Sequence, residues 1–143
     1  PRQCGKTTVA HEIAQHFSGH VHYFDLEDER DQSKLREPIL VLENLEGIIV
    51  IDEIHHAPNL FQTLRVLVDQ KKDRKFLVLG SASQELLKQT SETLAGRITY
   101  VKMTSFQVEE ISAECQLHVR GGFPLSYLAK TDAISMAWRK GLY

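Results

Sequence analysis

The chain has 143 residues, 42% of them hydrophobic and 25% charged, with a formal net charge of −2 and an isoelectric point near 6.4. That length and apolar content suffice for one hydrophobic core, and the charge balance excludes a domain coated in the positive charge that phosphate backbones require. No run approaches the roughly 18 apolar residues of a membrane span, and Cys4 and Cys115 give neither a disulfide framework nor a metal spacing.

The chain begins Pro1-Arg2-Gln3-Cys4-Gly5-Lys6-Thr7-Thr8. This fits the phosphate-binding pattern G-x-x-x-x-G-K-[ST], with a first glycine that would precede Pro1. The expectation is therefore a nucleotide-binding loop, in a chain that is a fragment lacking the strand before it. In such a loop inward-turned backbone N–H groups converge on phosphate oxygens, and glycine permits the path. The amides of Cys4, Gly5 and Lys6 would hold the β-phosphate, within a binding segment comprising Arg2, Gln3, Cys4, Gly5, Lys6, Thr7 and Thr8. The Lys6 ammonium would reach the β and γ oxygens and the Thr7 hydroxyl would ligate Mg²⁺. The helix expected next adds its positive N-terminal dipole. Val9, Ile13 and Phe17, with Ala10 and Ala14 beside them, form an apolar stripe at helical spacing. Ser18 and Gly19 supply a stop.

A strand is expected at 20–25, then a polar helix at 29–37 broken by Pro38, with the acidic run 27–31 suited to its first turn. An apolar segment at 39–45 leads to Gly47-Ile48-Ile49-Val50-Ile51-Asp52-Glu53. Four branched aliphatics running into two carboxylates read as a buried parallel strand ending in acids, at the edge where open α/β sheets place their ligands. A Gly-Lys-Ser/Thr tripeptide arises by chance in roughly one chain in fifteen of this length, and an apolar run ending in Asp-Glu in roughly one in a hundred. Found together and in this order, they point to a Walker A and Walker B pair. Asp52 would hold Mg²⁺ through water, and Glu53 would act as general base on the attacking water. The alternative for Glu53 is a helix-capping or solvated carboxylate.

Pro58 starts a helix with Leu60, Leu64, Leu67 and Val68 on one face. The basic run 71–75 reads as a solvated loop. Residues 75–83 read as a third buried strand ending in small polar residues, with Ser81, then Ser83, as candidate sensor of the γ-phosphate. The competing role is a cap on the helix at 84–89. A last strand is expected at 98–103. Alternation of strands and helices implies a parallel, three-layer α/β sheet. His11 and His16 are spaced i, i+5, whereas a zincin needs i, i+4, and no metal site is read from the histidines. His55 and His56 follow the second acid, to line the site or face solvent. Cys4 is read as a variable loop position in preference to a reactive thiol.

The ordered set PRQCGKTT, YFDLE, VIDEIHHAP with NLFQTLRVLVD, FLVLGSAS, LAGRI and RGGFP resembles a family of prokaryotic AAA+-like P-loop ATPases. Its intact members carry a C-terminal domain resembling restriction-endonuclease folds. The resemblance covers nearly the whole chain and implies a P-loop NTPase fold of strand order 5-1-4-3-2 with the first strand missing. It further implies an ATPase core over 1–115 and, over 116–143, the start of a helical lid toward the missing domain. ATP and Mg²⁺ are the implied cofactors, and Arg97 an implied arginine finger, with a salt bridge as its other reading. Residues 120–124 look like a hinge into the lid. The implied partners are that C-terminal domain and, through it, nucleic acid or protein, with a homo-oligomer open. A cytoplasmic, non-membrane protein is expected. Two alternatives stay open: a nucleotide-operated switch with incidental turnover, and an inactive remnant.

Overall fold

The computed structural model describes residues 3–70, 73–81, 83–111 and 114–142. They form two compact units: one comprises residues 7–100, the other residues 1–6 with 101–143.

The larger unit is built on three parallel strands, β1 (Val21–Asp25), β2 (Gly47–Asp52) and β3 (Arg74–Val78), in the order β1-β2-β3. Tyr23 pairs with Val50 and Asp25 with Asp52, while Val50 pairs with Leu77. Both neighbours therefore end level with the acidic end of β2. β2 has a neighbour on each side, and Ile48 through Asp52 are all buried, which explains its unbroken aliphatic run. Gly47 opens it at φ +85, and a Cβ there would run into the His20 carbonyl oxygen. Glycine is required at that point.

Side chains alternate between two layers. On one face Ile48, Val50 and Leu79 pack with Ala10 of α1 (Lys6–His16), Val21, Tyr23 and Phe17. On the other, Phe24, Ile49 and Ile51 pack beneath Leu42 of α3 (Pro38–Leu42) and Leu60, Phe61, Leu64 and Leu67 of α4 (Leu60–Asp69). Between β1 and α3 lies α2 (Glu29–Lys34). Its N-cap Asp28 accepts the Arg30 N–H, and Glu29 and Asp31 stand in its first turn, as the acidic run suggested. α5 (Gln84–Thr93) is capped by Ser83, which accepts the Leu86 N–H at 3.1 Å.

Four expectations change. The apolar segment at 39–45 begins as α3, with Pro38 at the first helical turn, where its missing N–H is harmless. The stripe read on α1 faces the core only in part: Ala10 is buried and Phe17 packs on the sheet, whereas Val9 and Ile13 are each 43% exposed. A small residue lets the helix lie close to the sheet, and its larger apolar neighbours flank the contact. Arg74 is no solvated loop residue. Its guanidinium donates to the carbonyls of Leu42, Glu43 and Leu67, tying the ends of α3 and α4 to β3; Lys71 and Lys72 of that run lie outside the described residues. The strand expected at 98–103 does not form. Ile98 packs on the core and the Tyr100 hydroxyl donates to Thr90, but Val101 is 83% exposed and no ladder receives the segment. β-branched residues favour a strand only where a pleated, half-buried surface accepts them.

The smaller unit carries α6 (Glu114–Arg120), α7 (Pro124–Tyr127) and α8 (Asp132–Lys140). Ser126 and Ser135 are fully buried and share a 2.7 Å hydrogen bond between α7 and α8. Arg120 donates to Asp132 and to the carbonyls of Tyr127 and Ala129. Gly121 turns the chain at φ +70 and Pro124 opens α7, so the 120–124 segment is a tight corner between two helices.

Among the described residues no helix is long and apolar enough to cross a membrane.

Candidate functional site

The acidic end of β2 is the chemical centre of the larger unit. Asp52 is 4% exposed. Its Oδ2 accepts the Thr7 hydroxyl at 2.8 Å and the Tyr23 hydroxyl at 2.7 Å, and its Oδ1 accepts the Glu53 backbone N–H at 2.9 Å. A buried carboxylate needs such donors. Thr7 belongs to the first motif and Asp52 to the second, so the fold brings together residues 45 positions apart.

Tyr23 owes its place to register. It pairs with Val50, two residues before Asp52, so its side chain shares the face of Asp52 and is long enough to reach it. The His11 ring lies parallel to the Tyr23 ring, with centroids 4.7 Å apart. Burial first, and then the hydrogen bond to Asp52, push the phenol's pKa well above its ordinary value. The group is therefore a protonated donor at neutral pH.

Glu53 follows at φ +52, ψ +48, a left-handed conformation unusual for a side-chain-bearing residue. Its Oε2 is buried and approaches His55 Nδ1 at 2.9 Å, without the alignment of a hydrogen bond. His55 in turn packs its ring against His56. Beyond β3, Leu79 donates its N–H to Ile51 and accepts that of Ile54. The backbone leading to Ser81 is thereby bound to the turn that carries Glu53, while Ser83, the second sensor candidate, is the α5 cap.

In the smaller unit the segment before α1 turns sharply. Gln3 and Gly5 both take positive φ, +58 and +91, turns of the kind that aim consecutive N–H groups into one concavity. Cys4 is buried. A Cβ on Gly5 would come within 3.8 Å of Pro124, so the loop adjoins the 120–124 corner. Lys6 begins α1, and Thr7 and Thr8 occupy its first turn. Arg2 lies outside the described residues.

Arg97 is placed elsewhere. It donates to Asp69 at 2.6 and 3.0 Å, at the end of α4, beside the start of β3. Arg97, Arg74, Lys75, Leu67, Val68 and Phe76 line a cavity of about 270 Å³ there. β2 and β3 run parallel, so that is the end of the sheet away from Asp52.

Tyr23, His11 and the Glu53–His55 contact are the site features that motif reading missed. The one sequence signal for Tyr23 was a tyrosine in step with the terminal aspartate of the neighbouring strand.

A parallel sheet whose central strand ends in paired acids, with the first acid bonded to the threonine of a glycine-lysine-threonine loop, defines a nucleotide-binding, ATPase-like α/β protein. The chain belongs to the family described as AAA domain, which it matches over residues 1–112. It is 42% identical over 144 residues to an uncharacterized protein of Mycobacterium tuberculosis and, to the same extent, to one of Mycobacterium bovis. Each alignment covers 99% of this chain and 32% of the relative, so the chain spans about a third of those proteins' length. No solved structure matches it.

Proposed function

We propose that the domain binds MgATP and hydrolyses it to ADP and phosphate. The observation that carries this reading is the Thr7–Asp52 hydrogen bond, which unites the two motifs on one carboxylate. Residues Arg2 to Thr8 would hold the triphosphate, the Lys6 ammonium on its β and γ oxygens. Thr7 and Asp52 fit Mg²⁺. They offer hard oxygen donors, one of them a buried carboxylate, and Mg²⁺ is usually held by one or two carboxylates together with phosphate oxygens and water. When bound, the ion would supply positive charge to offset that of the phosphate oxygens. Glu53 would take a proton from the water that attacks the γ-phosphorus, and Ser81 would contact the departing phosphoryl group. Arg97, at the far end of the sheet, would serve as a finger for a neighbouring copy. The full sheet order 5-1-4-3-2 would follow if two further strands joined beside β3. Nucleotide state would be passed to another domain, such as the endonuclease-like one of the resembled family, and through it to a nucleic acid or protein.

The test is MgATP binding and phosphate release by the full-length protein. Lys6→Ala should abolish binding. Glu53→Gln should leave binding intact and lower turnover by about 100-fold or more. Binding untouched by Lys6→Ala would overturn the reading. The 2.9 Å approach of His55 to Glu53 favours one variation, a nucleotide-operated switch whose base is held in reserve. Slow turnover indifferent to Glu53→Gln would select it.

A further inference from the structure

We propose that Tyr23 is a positioning residue for the metal-holding carboxylate, and that it fixes which acceptor site of Asp52 is left for a metal-bound water. The inference rests on the MgATP reading above and adds a residue that lies outside the two phosphate- and metal-binding motifs.

An ionised carboxylate has about four acceptor sites. In Asp52 three are taken: two on Oδ2 by the hydroxyls of Thr7 and Tyr23, and one on Oδ1 by the Glu53 N–H. Among the described residues nothing takes the fourth site, on Oδ1. Thr7 and the Glu53 N–H alone would hold one oxygen each and leave one acceptor site open on Oδ2 and one on Oδ1. The Tyr23 hydroxyl occupies the second Oδ2 site and removes that choice. The phenol is itself held: its ring lies in the layer with Val21, Val50 and Ala10, and His11 covers it at 4.7 Å with only 8° between ring planes. A rigid aromatic stem is a better locator than a flexible chain, since few rotamers must be fixed to place its hydroxyl. Tyr23 would thus act through Asp52, leaving Oδ1 as the acceptor that would face a metal-bound water.

The experiment titrates Mg²⁺ into the full-length protein with ADP and reads nucleotide binding by calorimetry, beside ADP binding without metal. Tyr23→Phe keeps the ring and removes the donor. The expected result is an unchanged metal-free ADP affinity and a Mg²⁺ half-saturation raised about 3- to 10-fold, less than the roughly 10- to 100-fold of a hydrogen bond lost directly to a charged group, because Tyr23 acts on the metal through Asp52. His11→Ala, at an exposed position that does not threaten the fold, should shift it in the same direction by a smaller factor. It carries the test if Tyr23→Phe lowers the melting temperature severely. A Mg²⁺ half-saturation unmoved in both variants, with wild-type metal dependence present and lost in Asp52→Asn, overturns the role of Tyr23 and leaves the MgATP reading standing. If the wild-type protein shows no metal dependence, or Asp52→Asn keeps it, the MgATP reading falls and the inference with it.

Discussion

Glu53 sits in the left-handed region, where a Cβ crowds the backbone and the conformation is disfavoured by about 1–2 kcal/mol. Strain of this kind persists where the surroundings enforce it. Here Asp52 holds the Glu53 N–H, and the next residue, Ile54, is bonded to Leu79. Glu53→Gly removes the crowding and the carboxylate together. It should raise stability by up to about 1 kcal/mol, a gain of roughly 2–4 °C in melting temperature for a domain of this size, while phosphate release is lost. A variant less stable than wild type would show that the contact with His55 outweighs the strain. The Thr7–Asp52 meeting was legible in the sequence because both residues belong to spaced patterns with one chemical purpose. The Tyr23 hydrogen bond and the close approach of His55 to Glu53 were not, although His55 was read as lining the site or facing solvent. The first depends on a strand register and the second on a turn angle, and neither is set by spacing along the chain.

The strands and helices that carry the site are joined by short polar devices, and one of them titrates. Asp31 of α2 accepts the Lys34 ammonium at 2.7 Å and the backbone N–H of Asp25, at the end of β1, at 3.0 Å. The lysine first, then that N–H, hold its carboxyl below the ordinary carboxylate value. A depressed pKa means that the ionised form stabilises the fold. The contribution is complete above the unfolded value near pH 4 and is lost as the pH falls through the lower folded value. Asp31→Asn should therefore lower stability by about 1 kcal/mol at pH 7, and the gap between variant and wild type should close on acidification toward pH 3, as melts across that range would record. The parallel strands were legible at this level, since β2 is buried on both faces and reads as an aliphatic run. The segment at 98–103 has similar local chemistry, yet a strand also needs a partner edge, which local composition does not supply. The stripe on α1 misled for a related reason. Periodicity locates an apolar face, but Ala10 decides how closely the helix approaches the sheet.

The chain is organised as two units, and their cores differ in kind. The larger is aliphatic, whereas the smaller is knit by Arg120, Ser126 and Ser135. Removing the guanidinium leaves the Tyr127 and Ala129 carbonyls short of a donor, so Arg120→Ala should destabilise the helical unit by about 2–4 kcal/mol. Hydrogen exchange should quicken in α6, α7 and α8, with protection of β2 amides unchanged. Loss of protection throughout β2 would mean that the two units unfold together. The boundary of the units at Tyr100 and Val101 was not legible in the sequence, because no linker of distinctive composition separates them.

Residues 3–6 cluster with 101–142, while the sheet needs only what lies between them. On a ribosome adding about 5–20 residues each second, β1, β2 and β3 can pair in the order they emerge, each beside its predecessor. The opening turns of the loop must wait several seconds more for their neighbours to be made. A nascent chain would thus possess its paired strands well before the turns at Gln3 and Gly5 have all their neighbours.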